Sequence, residues 1–516
     1  MKKKVTGILA GILITAMSLS LIGCGTAGQN AEQSQDSTQA EEAETEKKRD
    51  DVIIYSANVP ETLDQHDSVS VATAMYIRNL YANLYRLDAD GNIIPELADS
   101  YAVNDDYTEY TITLKDGIRF SDGSPITAND VAYTFHRGMD SEVTYYEILK
   151  DVTAKDDKTV VITLNQPNNN FLNDLTVEYM CVMSKDAIEG GMDVATHPDI
   201  TSGAYTVEKW DADESIVLKA NPYYFDGEPA IKTAKVIFKL SDESEYQALK
   251  NKEVDYLTSV STDQVMYLQA DDDIDLISYD NFAWNILMMN EQNPHFADQN
   301  IRNAIYYALD LNYLIDTALD GRGTPAPVPV NASISGYVDG CDTTEYDLKK
   351  AKECMAASTY SDGFDVTIKV NNDEREKVAE QIGTMLSEIG IRINIVKEDT
   401  NQLISELTEH SYEAALLSYS MSSGTVTHVE PLYRPGDSLN FAANTDSEIA
   451  DLLVKSSAVK PEEKTEYLSK AYELMKERND YIGLYWPTVY DAKVSNLKQK
   501  AQVTSEKFII ANMYWE

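Results

Sequence analysis

The chain has 516 residues and carries 86 acidic against 43 basic side chains, a formal charge of −43 at pH 7. A field of that sign makes nucleic acid and anionic lipid surfaces poor partners, and suits solubility outside the cell. The length is enough for a large core and more than one domain of typical size.

Residues Lys2 to Lys4, the apolar run Val5 to Leu19 and the sequence Leu21-Ile22-Gly23-Cys24 follow one another in the order of a signal peptide. The segment resembles a bacterial lipoprotein signal, in which a cysteine thiol is acylated and the chain is cut in front of it. The apolar run is short for a bilayer-spanning helix, which needs about 20 residues. Residues 1–23 are therefore expected to be removed, leaving Cys24 as a lipid anchor on the extracytoplasmic face of the cell membrane. From Gly25 to Arg49 there is no aromatic and no large aliphatic residue. Such a segment cannot bury enough surface to offset its ordering entropy, so 24–50 reads as a disordered tether. Cys181, Cys341 and Cys354 remain, an odd number that builds no disulfide framework.

Past the tether, Val52-Ile53-Ile54-Tyr55 predicts a strand and Ala72 to Leu84 a helix. Tyr110 to Leu114 and Ile118 to Phe120 flank Asp116-Gly117, which predicts a hairpin. Thr127-Ala128-Asn129-Asp130 before Val131 to Phe135 has the form of a capping box at a helix start. Strands are expected at Thr159 to Leu164, Ser215 to Lys219 and Val236 to Leu240. Beyond Asn290 the period changes: Ile301, Ala304, Ile305, Ala308 and Leu309 predict a helix running on to a stop at Gly321 to Pro325. Leu348 to Ala357 predicts another, with Cys354 as a small hydrophobe. Val378, Ile382, Met385, Leu386 and Ile389 predict a third, ended by Gly390 and followed by a strand at Ile391 to Val396. A strand at Tyr412 to Leu417 and a helix at Tyr467 to Glu477 complete an α/β lobe distinct from the hairpin-rich first half.

Several chemistries find no support. The chain has no Walker loop, dinucleotide glycine fingerprint, His-Glu-x-x-His pair or Gly-x-Ser-x-Gly elbow. Its six histidines are scattered without metal-ligand spacing. Asp88-Ala89-Asp90-Gly91-Asn92 starts like a calcium loop but lacks the sixth-position glycine and the closing glutamate, and reads as a hairpin turn. Asp271-Asp272-Asp273 with Asp275 reads as a solvated acidic turn. No catalytic residue, metal site or cofactor is assigned, and the chain is read as a non-enzyme.

Taken in order, a set of short stretches carries a resemblance. They are Thr62-Leu63-Asp64, Pro95-Glu96-Leu97-Ala98, Phe120 to Val131, Gly203-Ala204-Tyr205, Asn221-Pro222-Tyr223-Tyr224, Ile301 to Ile305 with Ala308-Leu309-Asp310, and Asn440-Phe441. From about Val52 to the C-terminus the chain resembles the extracytoplasmic solute-binding proteins of family 5, the oligopeptide and dipeptide receptors of ABC importers. The resemblance implies an α/β, two-lobed periplasmic-binding-protein-like fold with an extra subdomain in the first lobe. It implies hinge crossings near Leu287 to Glu291 and Asp480 to Leu484, with lobe one at 51–288 completed by 482–516 and lobe two at 289–481.

Peptide-binding members anchor the ligand amine on an aspartate in a Trp-x-x-Asp-Tyr-x-Asp-Pro segment, which matches Ser418 to Gly424 here. Tyr419 stands for the tryptophan, Ser420 follows it, and Ser422 stands for the aspartate. A serine hydroxyl cannot replace the lost charge. Either another carboxylate, with Glu430 nearest, meets the amine, or the ligand has no free amine there. Val69, Val71, Trp284, Asn285, Tyr485 and Trp486 are the other implied ligand-binding residues, whereas Trp210 is read as core. The implied function is capture of a short peptide by a monomeric receptor and delivery to a membrane permease. Two alternatives stay open: the same fold binding an oligosaccharide, an opine-like compound or a metal chelate, and a surface protein used for adhesion or signalling.

Overall fold

A computed structural model describes residues 49–68, 70–89, 91–241, 244–421, 424–500 and 508–516. The expected signal peptide, Cys24, most of the tether, Val69 and Ser422 lie outside the described residues. Val71 opens the helix Val71–Leu80.

Two sheets share one long strand. In the first, Asp51–Ser56 runs parallel to Thr233–Ile237 on one side and Tyr256–Thr258 on the other. Antiparallel strands Ser215–Ala220 and Tyr205–Asp211 extend it. In the second, Phe364–Val370 runs parallel to Ile391–Lys397 and Ala414–Ser420, and Ala283–Met289 lies antiparallel to Ala414–Ser420. The strand Tyr481–Val494 belongs to both. Its first part pairs with Ala283–Met289 and Gly323–Pro325, and its second with Ile274–Asp280 and Tyr256–Thr258.

Partners therefore change lobe between Asp280 and Ala283 and again at Pro487–Thr488. These points lie before the anticipated crossing at Leu287 to Glu291 and after the one at Asp480 to Leu484. Ladder pairing with the second lobe already begins at Ala283, which places both anticipated segments inside that lobe's sheet.

The first lobe also carries a four-stranded antiparallel sheet in the order Ala98–Val103, Glu109–Leu114, Thr159–Leu164, Leu149–Ala154. Val160, Ile162 and Leu164 alternate with half-buried neighbours and pack with Val131 and Phe135 of the helix Ala128–Met139. Asp130 closes the capping box by accepting from the Thr127 N–H at 2.9 Å. This subdomain is tied to the first lobe by the Thr62-Leu63-Asp64 stretch. Asp64 accepts both Arg137 Nη groups, and His66 Nε2 meets the Tyr146 hydroxyl at 2.8 Å. Burial pulls His66 down to about 3, so the ring is neutral in this network.

Two sequence expectations need correction. Tyr110 to Leu114 and Ile118 to Phe120 do not pair with each other, because both edges of Glu109–Leu114 are taken by its sheet neighbours. Gly117, at φ +74°, turns the chain away, and the Phe120 N–H bonds Ser124 O instead. The helix expected from Ile301 to the glycines is two helices, Gln299–Ala308 and Leu311–Ala318. Asp310 separates them, its side chain accepting the Tyr313 N–H at 3.1 Å as a fresh cap.

Candidate functional site

Successive residues of a strand face opposite sides of a sheet, and this divides the candidate residues into two sets. Trp284 and Trp486 pack in one core of the second lobe with Tyr419 against it, whereas Leu287 and Tyr485 belong to the core on the other face. Asn285 shares the latter face, opposite Ser418 and Tyr485 in the ladder. Both sets stand at the carboxyl ends of the parallel strands Phe364–Val370 and Ala414–Ser420. In open α/β sheets ligands bind outside that edge. It is also the edge from which both crossings leave for the first lobe.

The structure gives these residues different duties. Trp284 is buried and its Nε1–H donates to Ala326 O at 2.9 Å, a core position with its polar atom used. Trp486 is equally buried, but its Nε1 has no hydrogen-bond partner among the described residues. Tyr419 donates its hydroxyl to His428 O at 2.9 Å. Ser420 ends its strand exposed. Tyr485 donates to Glu374 Oε1 at 3.3 Å. Glu430, the carboxylate nearest in sequence to the missing aspartate, is engaged by Arg434 four residues on.

Residues with no sequence signal bring the first lobe against this edge. Tyr179 stacks on Tyr145 with ring centroids 5.4 Å apart, and Tyr145 in turn lies 5.9 Å from the His428 ring. The Tyr179 hydroxyl donates to Ser70 O at 3.1 Å, beside the start of Val71–Leu80. Burial lowers His428 to about 4, which keeps the ring facing Tyr145 uncharged.

A second bridge lies at the segment Asn168 to Asp174 of the subdomain. The Asn169 N–H donates to Ser457 O at 2.8 Å, and its Nδ2 reaches Ser456 O at 2.8 Å and Val459 O at 2.6 Å. Lys464 donates to Asn170 Oδ1. Leu453 and Leu468, on either side of 456–464, pack in the same core as Trp284 and Trp486, so these contacts join the subdomain to the second sheet's layer of helices.

Closure at this bridge is expected to depend on pH. Burial raises Asp174 to about 7, offset in part by its bond from Asn168 and by Lys464, and burial lowers Lys464 to about 8. If docking of the lobes supplies this burial, both groups return toward ordinary values near 4 and 10.4 when the lobes part. Closing then takes up a proton on Asp174 between about pH 4 and 7, so acidification over that range favours the closed state. Above about pH 8, closing releases a proton from Lys464, so alkalinity favours it as well. Ligand affinity is expected to be lowest near pH 7 to 8 and to rise toward pH 5, a rise that Asp174→Asn removes. Calorimetric titration of both proteins across this range checks it, and an identical pH profile for the variant would contradict it.

Among the described residues, no cluster of three or more His, Cys, Asp or Glu side chains is placed to hold a metal ion. Cys181, Cys341 and Cys354 are free thiols, and Cys354 packs at the margin of a core. No helix of the described residues is long and apolar enough to cross a membrane.

Comparison with known proteins agrees with this geometry. The glutathione-binding protein GsiB of Salmonella typhi is 26% identical over 467 residues, covering 87% of this chain and 91% of the relative. HbpA2 from Haemophilus parasuis superposes with a TM-score of 0.81 at 20% identity, over 90% of this chain and 100% of that one. The oligopeptide-binding protein AppA from Bacillus subtilis, solved with a nonapeptide, superposes with a TM-score of 0.71 at 22% identity, over 91% and 100% of the two chains. Both neighbours share the two-lobed fold. The model of bacterial extracellular solute-binding proteins, family 5 Middle, matches residues 92–438, and the chain belongs to that family.

Proposed function

We propose that this protein is the substrate-binding lipoprotein of an ABC importer, closing two lobes on a short peptide and passing it to a membrane permease. It acts as a monomer, held to the membrane through Cys24, by binding and release without chemistry. The observation that carries the reading is the contact between the lobes, with Tyr145, stacked on Tyr179, against the His428 ring next to Tyr419, and Asn169 against Ser456, Ser457 and Val459. The carboxyl edge of the second sheet carries the half-buried Tyr419 ring over the buried Trp486, with amide and hydroxyl groups at Asn285 and Ser418. Such a mixture suits an extended peptide backbone flanked by varied side chains. The glutathione-binding relative and the nonapeptide-bound neighbour support the same ligand class.

Lobe one is taken as 51–288 with 482–516, and lobe two as 289–481; the change of ladder partners within a few residues of both bounds supports this division. Because Glu430 is engaged by Arg434, the ligand amine is not anchored there.

A thermal-shift assay of the purified protein with a mixed short-peptide pool tests the reading. Ligand at about a hundred times its dissociation constant stabilises the native state by roughly 2.7 kcal/mol. The melting temperature is expected to rise with the free pool and equally with the same pool acetylated at its amines. No rise with either pool overturns the peptide assignment in favour of sugars or chelates.

A further inference from the structure

Glu291 and Asp480 form a carboxyl pair that the proposed site does not use. Glu291 follows the strand Ala283–Met289, and Asp480 immediately precedes Tyr481–Val494. The two strands are antiparallel, with Met288 opposite Tyr481, so both acids stand at the end of the ladder away from the lobe crossings. Asp480 is buried, Glu291 is half-buried, and their carboxyl groups are in hydrogen-bond contact with each other. Glu291 Oε1 is buried with no donor among the described residues.

Too little positive charge reaches the pair to keep both acids ionised. Arg302, in the helix Gln299–Ala308, gives its Nε to Arg478 O at 2.9 Å and its Nη1 to Phe296 O at 2.7 Å. Its Nη2 faces the acids, 3.5 Å from Asp480 Oδ1 and 3.8 Å from Glu291 Oε1. Arg478, at the end of the helix Pro461–Arg478, is drawn off by Asp446 at 2.9 Å and Glu448 at 2.6 Å. The other groups facing the pair are Tyr412, Tyr433, Tyr481 and Asp446. Burial raises the three tyrosines, which stay neutral, while the Glu448 N–H and Arg478 hold Asp446 low and negative. Two carboxyl groups in contact under these conditions cannot both ionise and hold a proton in common.

We propose that Glu291 and Asp480 share one proton at neutral pH, and that its loss is a switch that loosens the second lobe where the helix Pro461–Arg478 hands over to the strand Tyr481–Val494. Several segments are tied at that point. The Glu291 N–H donates to Ala442 O at 2.9 Å, Arg302 holds the last carbonyl of the helix, and Asn479, at φ +52°, turns the chain in one residue. With both acids charged, repulsion acts across this turn. Burial and the Asp480 charge push Glu291 up to about 8, from an ordinary value of about 4.3, and burial raises Asp480 as well. A carboxyl raised in the folded state gives stability that is complete below its ordinary value and lost as the pH climbs to the raised one. The second lobe therefore holds best in acid medium.

Thermal melting of the purified protein and of Glu291→Gln from pH 5 to pH 9 tests the switch. Glutamine keeps a donor for Asp480 and has no proton to lose, and titrations common to both proteins drop out of the difference. The melting temperature of Glu291→Gln minus that of wild type is expected to rise by about 3 °C or more between pH 5 and pH 9. Glu291→Asp, which keeps the pair, is expected to follow the wild-type profile, and Asp480→Asn, which removes it, to follow Glu291→Gln. Hydrogen exchange at pH 9 is expected to be faster in wild type than in Glu291→Gln across residues 475–483, with no such difference at pH 5. A difference in melting temperature that stays constant with pH in both Glu291→Gln and Asp480→Asn means that the acids are merely structural and overturns the proposal. Equal exchange of residues 475–483 at pH 9 overturns the placing of the switch at this junction.

Discussion

Gly483→Ala is expected to destabilise the protein by about 2 to 4 kcal/mol, by overpacking and the loss of a buried hydrogen bond. Gly483 lies in the long shared strand, where an added Cβ would sit 2.1 Å from Ala326 O and 2.6 Å from Trp284 Nε1. Those two atoms are the partners of the bond that anchors Trp284. Neither can retreat freely, since one is backbone and the other belongs to a large ring packed among Ile286, Val328 and Trp486. Relief requires the segment Gly323 to Ala326 to separate from the shared strand, which also displaces Trp486 at the edge of the site. Thermal melting of the variant beside wild type checks this, and an unchanged melting temperature would contradict it.

Asn169→Ala is expected to weaken ligand binding by about tenfold to a hundredfold while leaving the ligand-free melting temperature unchanged. The Asn169 side chain spans the two lobes with two hydrogen bonds, to Ser456 O and Val459 O, and both belong to the closed state alone. At roughly 1 kcal/mol net for each bond, the closed state loses on the order of 2 kcal/mol. A ligand that binds by closing the lobes inherits that loss in its apparent affinity. Titration calorimetry with the short-peptide pool measures it. Unchanged affinity would mean that the bridge plays no part in the bound state.

Much of the fold was legible because its signals are local. The period of Val378, Ile382 and Leu386 follows from one helix meeting one core, and the capping box at Thr127 is complete within four residues. The Asp116-Gly117 hairpin failed because a turn does not choose a strand's partners, and the neighbours that won come from residues 98–103 and 159–164. The helix after Ile301 was overextended because Leu311, Leu314 and Ile315 continue the apolar pattern, and only the Asp310 cap marks the break.

The site was legible at its edge but not in its contacts. Trp284, Asn285, Tyr485 and Trp486 lie beside the points where ladder partners change lobe, but all four still pair within the second lobe's sheet, strand alternation puts them on two faces, and Trp284 serves as core. Tyr145, Asn169 and His428 carry no periodic signature. Their meeting joins segments that are far apart in the chain, and it exists only once the lobes have docked.

The claim underlying all of this is that the two lobes move together on a peptide. Small-angle X-ray scattering of the purified protein, with and without a saturating short-peptide pool, reads that movement directly. The account predicts a smaller radius of gyration with the pool, and a smaller decrease for Asn169→Ala. Binding of peptide with no change in the radius would contradict a closing trap.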